Sequence, residues 1–139
     1  MNQRDVLKII NTKLFKVISS CSDQNNVKCY LVGGFVRDLI TGNKDPKDID
    51  ILIIGDGIYI AKKVCNILGL NDPTIYKRFG TAAFKFNDYD IEFVGSRKES
   101  YSKNSRNPVV EVGSFDDDLN RRDFTINTIC VCLNSSNWG

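Results

Sequence analysis

The stretch Lys47-Asp48-Ile49-Asp50-Ile51-Leu52 constrains this chain more than any other. Apolar β-branched residues alternating with aspartates specify a strand. Its side-chain period of two sends Ile49 and Ile51 into a core and Asp48 and Asp50 together onto the opposite face. Two carboxylates then converge on one spot, and their repulsion is unfavourable unless a cation lies between them. Such hard oxygen donors suit Mg²⁺, which keeps waters and completes its octahedron with substrate phosphates. Paired metals of that kind activate an attacking hydroxyl and stabilise a leaving oxygen in phosphoryl or nucleotidyl transfer.

Hydrophobic spacing places the other elements around this strand. Val6, Ile9, Ile10, Leu14, Val17 and Ile18 predict one amphipathic helix over 4–20. Cys29 to Val32 reads as a buried strand ending at Gly33-Gly34, followed by a helix over 35–41 that Gly42 closes. A turn at Asn43, Asp45 and Pro46 precedes the strand over 49–54. A helix over 56–68, capped by Gly69, follows it. Residues 74–76, 81–86 and 89–94 read as strands, the last two joined as a hairpin at Asn87-Asp88, so the expected sheet is mixed. Residues 96–108 read as a loop carrying Arg97, Lys98, Lys103 and Arg106. Ser114 with Asp117 resembles a capping box, and a last helix is expected over 124–133. The fold class is α/β (α+β), a mixed sheet with helices packed on it, in one domain over 1–139.

Composition removes several kinds of chemistry. Histidine is absent, which excludes Ser-His-Asp and Cys-His nucleophiles, HExxH zinc sites and any imidazole base. A formal charge of +2 is far from that of a polybasic nucleic-acid binder, so any basic surface is local. The five cysteines form no CxxC pair and read as buried thiols of a reducing compartment. No run of apolar residues is long enough to span a membrane, and the N-terminus lacks the apolar core of a signal peptide. The expected location is the cytoplasm, with no membrane partner.

Gly33-Gly34 supplies what a polyphosphate needs: no Cβ to block approach, and backbone N–H groups at the start of a helix. Arg37, one turn on, suits a phosphate in fork geometry, while Asp38 points to a different face and orients a neighbour or caps. Neither a GxxxxGK[ST] loop nor a GxGxxG fingerprint is present. Each piece has an ordinary meaning alone: a solvated acidic pair, a turn, or, for Arg121-Arg122-Asp123, a solvated helical face. Ordered together on one short chain, they describe a cradle for a metal-bound triphosphate.

The residues resemble the class II tRNA nucleotidyltransferases (CCA-adding enzymes) and bacterial poly(A) polymerases of the DNA polymerase β superfamily. Leu31-Val32-Gly33-Gly34-Phe35-Val36-Arg37-Asp38-Leu39-Ile40-Thr41-Gly42 with Lys47-Asp48-Ile49-Asp50 is similar to that family's opening motif. Asp118-Leu119-Asn120-Arg121-Arg122-Asp123-Phe124-Thr125-Ile126-Asn127 is similar to its second, and Phe79-Gly80-Thr81 and Ile91 to Tyr101 resemble its sheet edge and loop.

The resemblance implies a nucleotidyltransferase fold with a polymerase β-like palm. It implies Asp48 and Asp50 as catalytic metal ligands for Mg²⁺, with Glu92 as a third carboxylate, although Asp90 shares its face of the strand. Gly33, Gly34 and Arg37 would hold the triphosphate. Arg122 and Asp123 would contact the nucleotide, the aspartate accepting from a ribose 2′-hydroxyl, with Asn127 in support. The implied reaction is attack of an RNA 3′-hydroxyl, most naturally that of tRNA, on the α-phosphate of ATP or CTP. The loop over 96–106, with Tyr101, either touches RNA or is a plain solvated loop.

The family's neck, body and tail, which read the base and hold tRNA, have no counterpart in these residues. The expectation is therefore a catalytic head alone, with the remaining parts missing or supplied by a partner subunit. A poly(A) polymerase head is the nearest alternative. A nucleotide-binding module inactive on its own, or a minimal transferase acting on a small molecule or protein, are alternatives of other classes.

Overall fold

A computed structural model of the chain describes residues 3–42, 46–100, 109–120 and 129–139. The chain opens with α1 (Gln3–Ile10) and α2 (Lys13–Gln24), then β1 (Cys29–Val32), α3 (Gly34–Thr41), β2 (Asp48–Ile53) and α4 (Gly57–Leu68). There follow β3 (Thr74–Tyr76), β4 (Thr81–Phe86), β5 (Tyr89–Gly95), β6 (Arg97–Ser100), β7 (Val109–Val112), α5 (Phe115–Asn120) and β8 (Val131–Cys132). Among the described residues the strands form a six-stranded sheet in the order β3-β4-β5-β2-β1-β8 and a separate β6-β7 ribbon. β2 lies parallel to β5 and antiparallel to β1, so the sheet is mixed.

One face of this sheet is the core. Leu31, Ile49, Ile51, Ile53, Ile91 and Phe93 are almost wholly buried against Leu14, Phe15 and Ile18 of α2, Phe35, Val36 and Leu39 of α3, and Ile60, Ala61 and Val64 of α4. Each fully buried aliphatic side chain contributes about 1.5–3 kcal/mol, so the helices hold to the sheet through this face. α4 starts with the Asp56 carboxylate accepting from the Tyr59 N–H and ends at Gly69 in the left-handed conformation. It crosses β5 at backbone contact, since a Cβ on Gly57 would stand 2.7 Å from the Gly95 nitrogen.

Three sequence expectations are corrected. The single helix over 4–20 is two helices, broken where Thr12 takes an extended conformation and continued to Gln24. The apolar spacing carries no break, whereas Asn11 and Thr12 are poor helix formers whose side chains compete for backbone groups. The loop over 96–108 contains β6, paired antiparallel with β7, and Ser96 clasps the ribbon's base through its hydroxyl donated to the Gly113 carbonyl at 2.6 Å. Residues 101–108 lie outside the described residues. The helix expected over 124–133 does not reach its end, because Val131-Cys132 pairs with Tyr30-Leu31 as an edge strand. That pairing satisfies backbone groups that β1 would otherwise present as a bare edge. Residues 124–128 are outside the described set. The capping box is present in reciprocal form, the Ser114 hydroxyl accepting from the Asp117 N–H and the Asp117 carboxylate from the Ser114 N–H.

Candidate functional site

Among the described residues, the second face of the sheet is covered at one end. There Phe115 of α5 stacks on Tyr30 with ring centroids 4.3 Å apart, beside the fully buried Leu52. Two residues back along β2 the same face carries Asp50, half-buried, and then Asp48, exposed, while Ile49 and Ile51 between them are 0% exposed on the core side. The parallel register sets Asp48 beside Asp90 and Asp50 beside Glu92. Four carboxylates therefore form a patch two residues long and two strands wide.

These acids are not equivalent. Lys85, which faces Asp90 across the hairpin, donates to its carboxylate at 2.7 Å. The Asp90 hydrogen bond and charge, and more weakly the charge of Asp48, hold the Lys85 ammonium above its ordinary pKa. Asp90 thus has its own cation, and Asp48, Asp50 and Glu92 line the groove beside it. Lys85 and Asp90 flank the Asn87-Asp88 turn, so their pairing could have been read from the hairpin register.

β1 delivers the chain to the diglycine turn beside Asp50, its neighbour in register being Val32. Gly33 has φ 78° and ψ −154°, a conformation essentially restricted to glycine. A Cβ there would stand 2.5 Å from Asp50 Oδ2, so the carboxylate itself occupies the space a side chain would need. Gly34 begins α3, and a Cβ on it would lie 3.2 Å from Arg37 Nη2. The Arg37 guanidinium is folded back over the start of its own helix, where Nε and Nη2 reach Asp38 Oδ1 at 2.8 and 2.7 Å. The expectation that Asp38 points to a different face is corrected to that extent, because the long arginine side chain bends to meet its neighbour. Asp38 orients Arg37.

The acidic patch lines a groove of about 870 Å³, within the range that holds a nucleotide-sized ligand. Its donors are carboxylate oxygens, and none of the five cysteines lines it. Burial pushes the Cys29 thiol up to about 12 and the Cys65 thiol up to about 11. The donor set fits a hard divalent cation and not a soft one. Among the described residues no three acidic or thiol side chains close into a metal cage, so a cation held by Asp48 and Asp50 needs water and phosphate oxygens to complete its shell. Arg122, Asp123 and Asn127 lie outside the described residues. No helix among the described residues is long and apolar enough to cross a membrane.

The Poly A polymerase head domain model matches residues 29–138. The chain belongs to that family. It is 36% identical to an A-adding tRNA nucleotidyltransferase of Geobacter sulfurreducens over the whole of this chain and 16% of that protein. Among solved structures, an apo form of a CCA-adding enzyme superposes with a TM-score of 0.79 at 29% identity, over 100% of this chain and 31% of that one. A tRNA nucleotidyltransferase complexed with a primer tRNA and an incoming ATP analogue superposes with a TM-score of 0.74 at 31% identity, over 88% of this chain and 32% of that one. The mixed sheet with its helical layer is thus the nucleotidyltransferase fold of this family, and the chain spans at most about a third of the length of these relatives.

Proposed function

We propose that this chain is the catalytic head, over residues 1–139, of a tRNA nucleotidyltransferase of the CCA-adding group. It would transfer AMP or CMP from ATP or CTP to an RNA 3′-hydroxyl. The observation that carries this reading is the contact of Asp50 with the diglycine turn: the carboxylates and the phosphate cradle are one site.

In this reading Gly33 and Gly34 present a turn with no side chain in the way of a triphosphate, at the positive end of α3. Arg37, held by Asp38 through two contacts to one oxygen, keeps donors directed at that approach and meets the developing charge of the departing pyrophosphate. Asp48 and Asp50, with Glu92 in register beside them, would hold Mg²⁺. Bound there, the metal would supply charge neutralisation on the phosphates and a lowered pKa for the attacking hydroxyl. Lys85 keeps Asp90 occupied and limits the charge of the patch. Arg122, Asp123 and Asn127 are proposed nucleotide contacts on the strength of the sequence resemblance alone. ATP or CTP and the 3′ end of tRNA are the proposed partners, and the parts of the relatives that this chain does not span are the proposed source of base selection. The family model's name favours a second reading, a poly(A) polymerase head with the same site.

The test is nucleotide binding by the wild-type chain and by Asp48→Asn with Asp50→Asn, measured with and without Mg²⁺. Transfer of labelled ATP or CTP onto tRNA ending at its discriminator base is measured alongside. Wild type should bind the nucleotide in a Mg²⁺-dependent way and the double variant should lose that dependence. Equal affinity in all four conditions would remove the carboxylates from the site.

A further inference from the structure

The groove does not stop at the acids. In the row of residues just past Asp50 and Glu92 its floor is made by Thr81 and Val94, small side chains that leave it deep. Its far wall carries Tyr76 on the edge strand β3 and Phe79 in the turn that follows. Both rings are about half exposed, Tyr76 at 48% and Phe79 at 52%, an unusual pair of large aromatics to leave in water on one rim. Phe79 and Arg97 also line a second groove of about 410 Å³, which continues the first and carries Lys77 and Arg78, with Glu111 and the helix-capping Asp56 as opposing acids. The Arg78 guanidinium sits 5.8 Å from the Phe79 ring centroid. Arg97 Nε is buried and, among the described residues, without a hydrogen-bond partner.

The track therefore changes character along its length: carboxylates at one end, exposed rings in the middle, guanidinium and ammonium groups at the other. Three strand spacings separate Asp50 from the edge strand carrying Tyr76, about 14 Å, which a short unpaired nucleic-acid segment can bridge. Aromatic faces accept any base by stacking, and arginine beside them both stacks and pairs with phosphate. We propose that Tyr76 and Phe79, with Arg78 and Arg97, form the stacking track on which the unpaired 3′ segment of an RNA acceptor lies, directing its terminal hydroxyl to Asp48 and Asp50. The proposal rests on the nucleotidyl-transfer reading for its direction, and on the rim alone for its affinity. An acceptor without an unpaired end has no base to offer the rings, so the track also selects single-stranded ends over blunt ones.

The test uses a hairpin RNA with a short 3′ overhang carrying 2-aminopurine, a blunt hairpin of the same stem, and the full chain without nucleotide. Replacing each ring, Tyr76→Ala or Phe79→Ala, is expected to weaken overhang binding by about tenfold and to abolish the quenching of 2-aminopurine that reports stacking. Tyr76→Phe and Phe79→Tyr, which keep the π-face, should restore both. Arg97→Gln should weaken binding and lower the salt dependence by about one released counterion. Both rings being half exposed, thermal melting should not move. Unchanged overhang affinity in the double alanine variant, or an equal loss for the blunt hairpin, would overturn the proposal. Nucleotide affinity without RNA reads the carboxylate site separately. Failure there with intact ring-dependent stacking would sink the transfer reading and leave the track standing.

Discussion

The two faces of β2 differ more than any two regions of the molecule. Ile49, Ile51 and Ile53 enter a dry layer of helices, while Asp48 and Asp50, at the alternate positions, meet a groove and a glycine turn. The core face concentrates what holds the fold and leaves nothing that reacts. The groove face concentrates like charges, whose mutual repulsion a bound cation would offset. A strand side-chain period of two lets one element serve both demands, and its parallel partner β5 repeats the arrangement with Ile91 and Phe93 against Asp90 and Glu92.

Breaking the core side should have the largest effect. Ile51→Ala leaves a cavity at a fully buried position, and unfolding by urea should show a loss of about 2–5 kcal/mol. If the loss were below 1 kcal/mol, the helical layer would not be packed on β2 as described. Next is Gly33→Ala, which joins the two faces. The substitution strains a glycine-only conformation by about 1–3 kcal/mol and drives a methyl group into Asp50 Oδ2. Stability should fall by that amount and nucleotide affinity should fall with it. A loss of stability with nucleotide affinity intact would separate the turn from the carboxylates.

What could be read from the sequence follows how locally each feature is encoded. β1, the diglycine turn, α3 and β2 lie within a few residues of expectation because strand alternation, Gly33, Gly42 and the Asp48-Asp50 spacing are short-range signals. The same is true of the Ser114–Asp117 box and the Asn87 turn, where φ is 53°. β6 and β8 escaped because each depends on a partner far along the chain: Arg97 on Val112, Val131 on Leu31. Charge along 97–100 looked like a loop, and the spacing around Val131 looked like a helix, until a backbone edge elsewhere decided the matter. At the site, the convergence of Asp50 with Gly33 was legible. The pairing of Lys85 with Asp90 was within reach of the hairpin register, whereas the fold-back of Arg37 onto Asp38 and the aromatic rim were not, since each depends on side-chain direction.

Neutralising the groove face sharpens the comparison from its other side. Asp48→Asn with Asp50→Asn removes repulsion while leaving every core contact in place. Thermal stability without metal should therefore be unchanged or rise by about 0.2–1 kcal/mol, while Mg²⁺-dependent nucleotide binding disappears. A marked loss of stability in metal-free buffer would mean that the aspartates hold the fold together and are not merely tolerated by it.

The smallest effect lies on the helical side, where acid loosens a single tie. In the last turn of α2, the Asp23 carboxylate accepts from Asn134 Nδ2 at 2.8 Å and from the Ser135 N–H at 3.1 Å, tying the C-terminal segment to the helical side. The hydrogen bond from Ser135, then that from Asn134, holds its pKa below the ordinary carboxylate value despite the opposing effect of burial. A folded pKa below the unfolded one means stability that is present above the unfolded value, near 4, and lost as pH falls through the folded one. Because the pair is solvent-accessible, the contribution is no more than about 1 kcal/mol. Protonating Asp23 undoes that tie. Melting profiles from pH 6 to 3 should fall less steeply in Asp23→Asn than in wild type. Identical slopes in the two proteins would show that Asp23 does not couple its proton to folding.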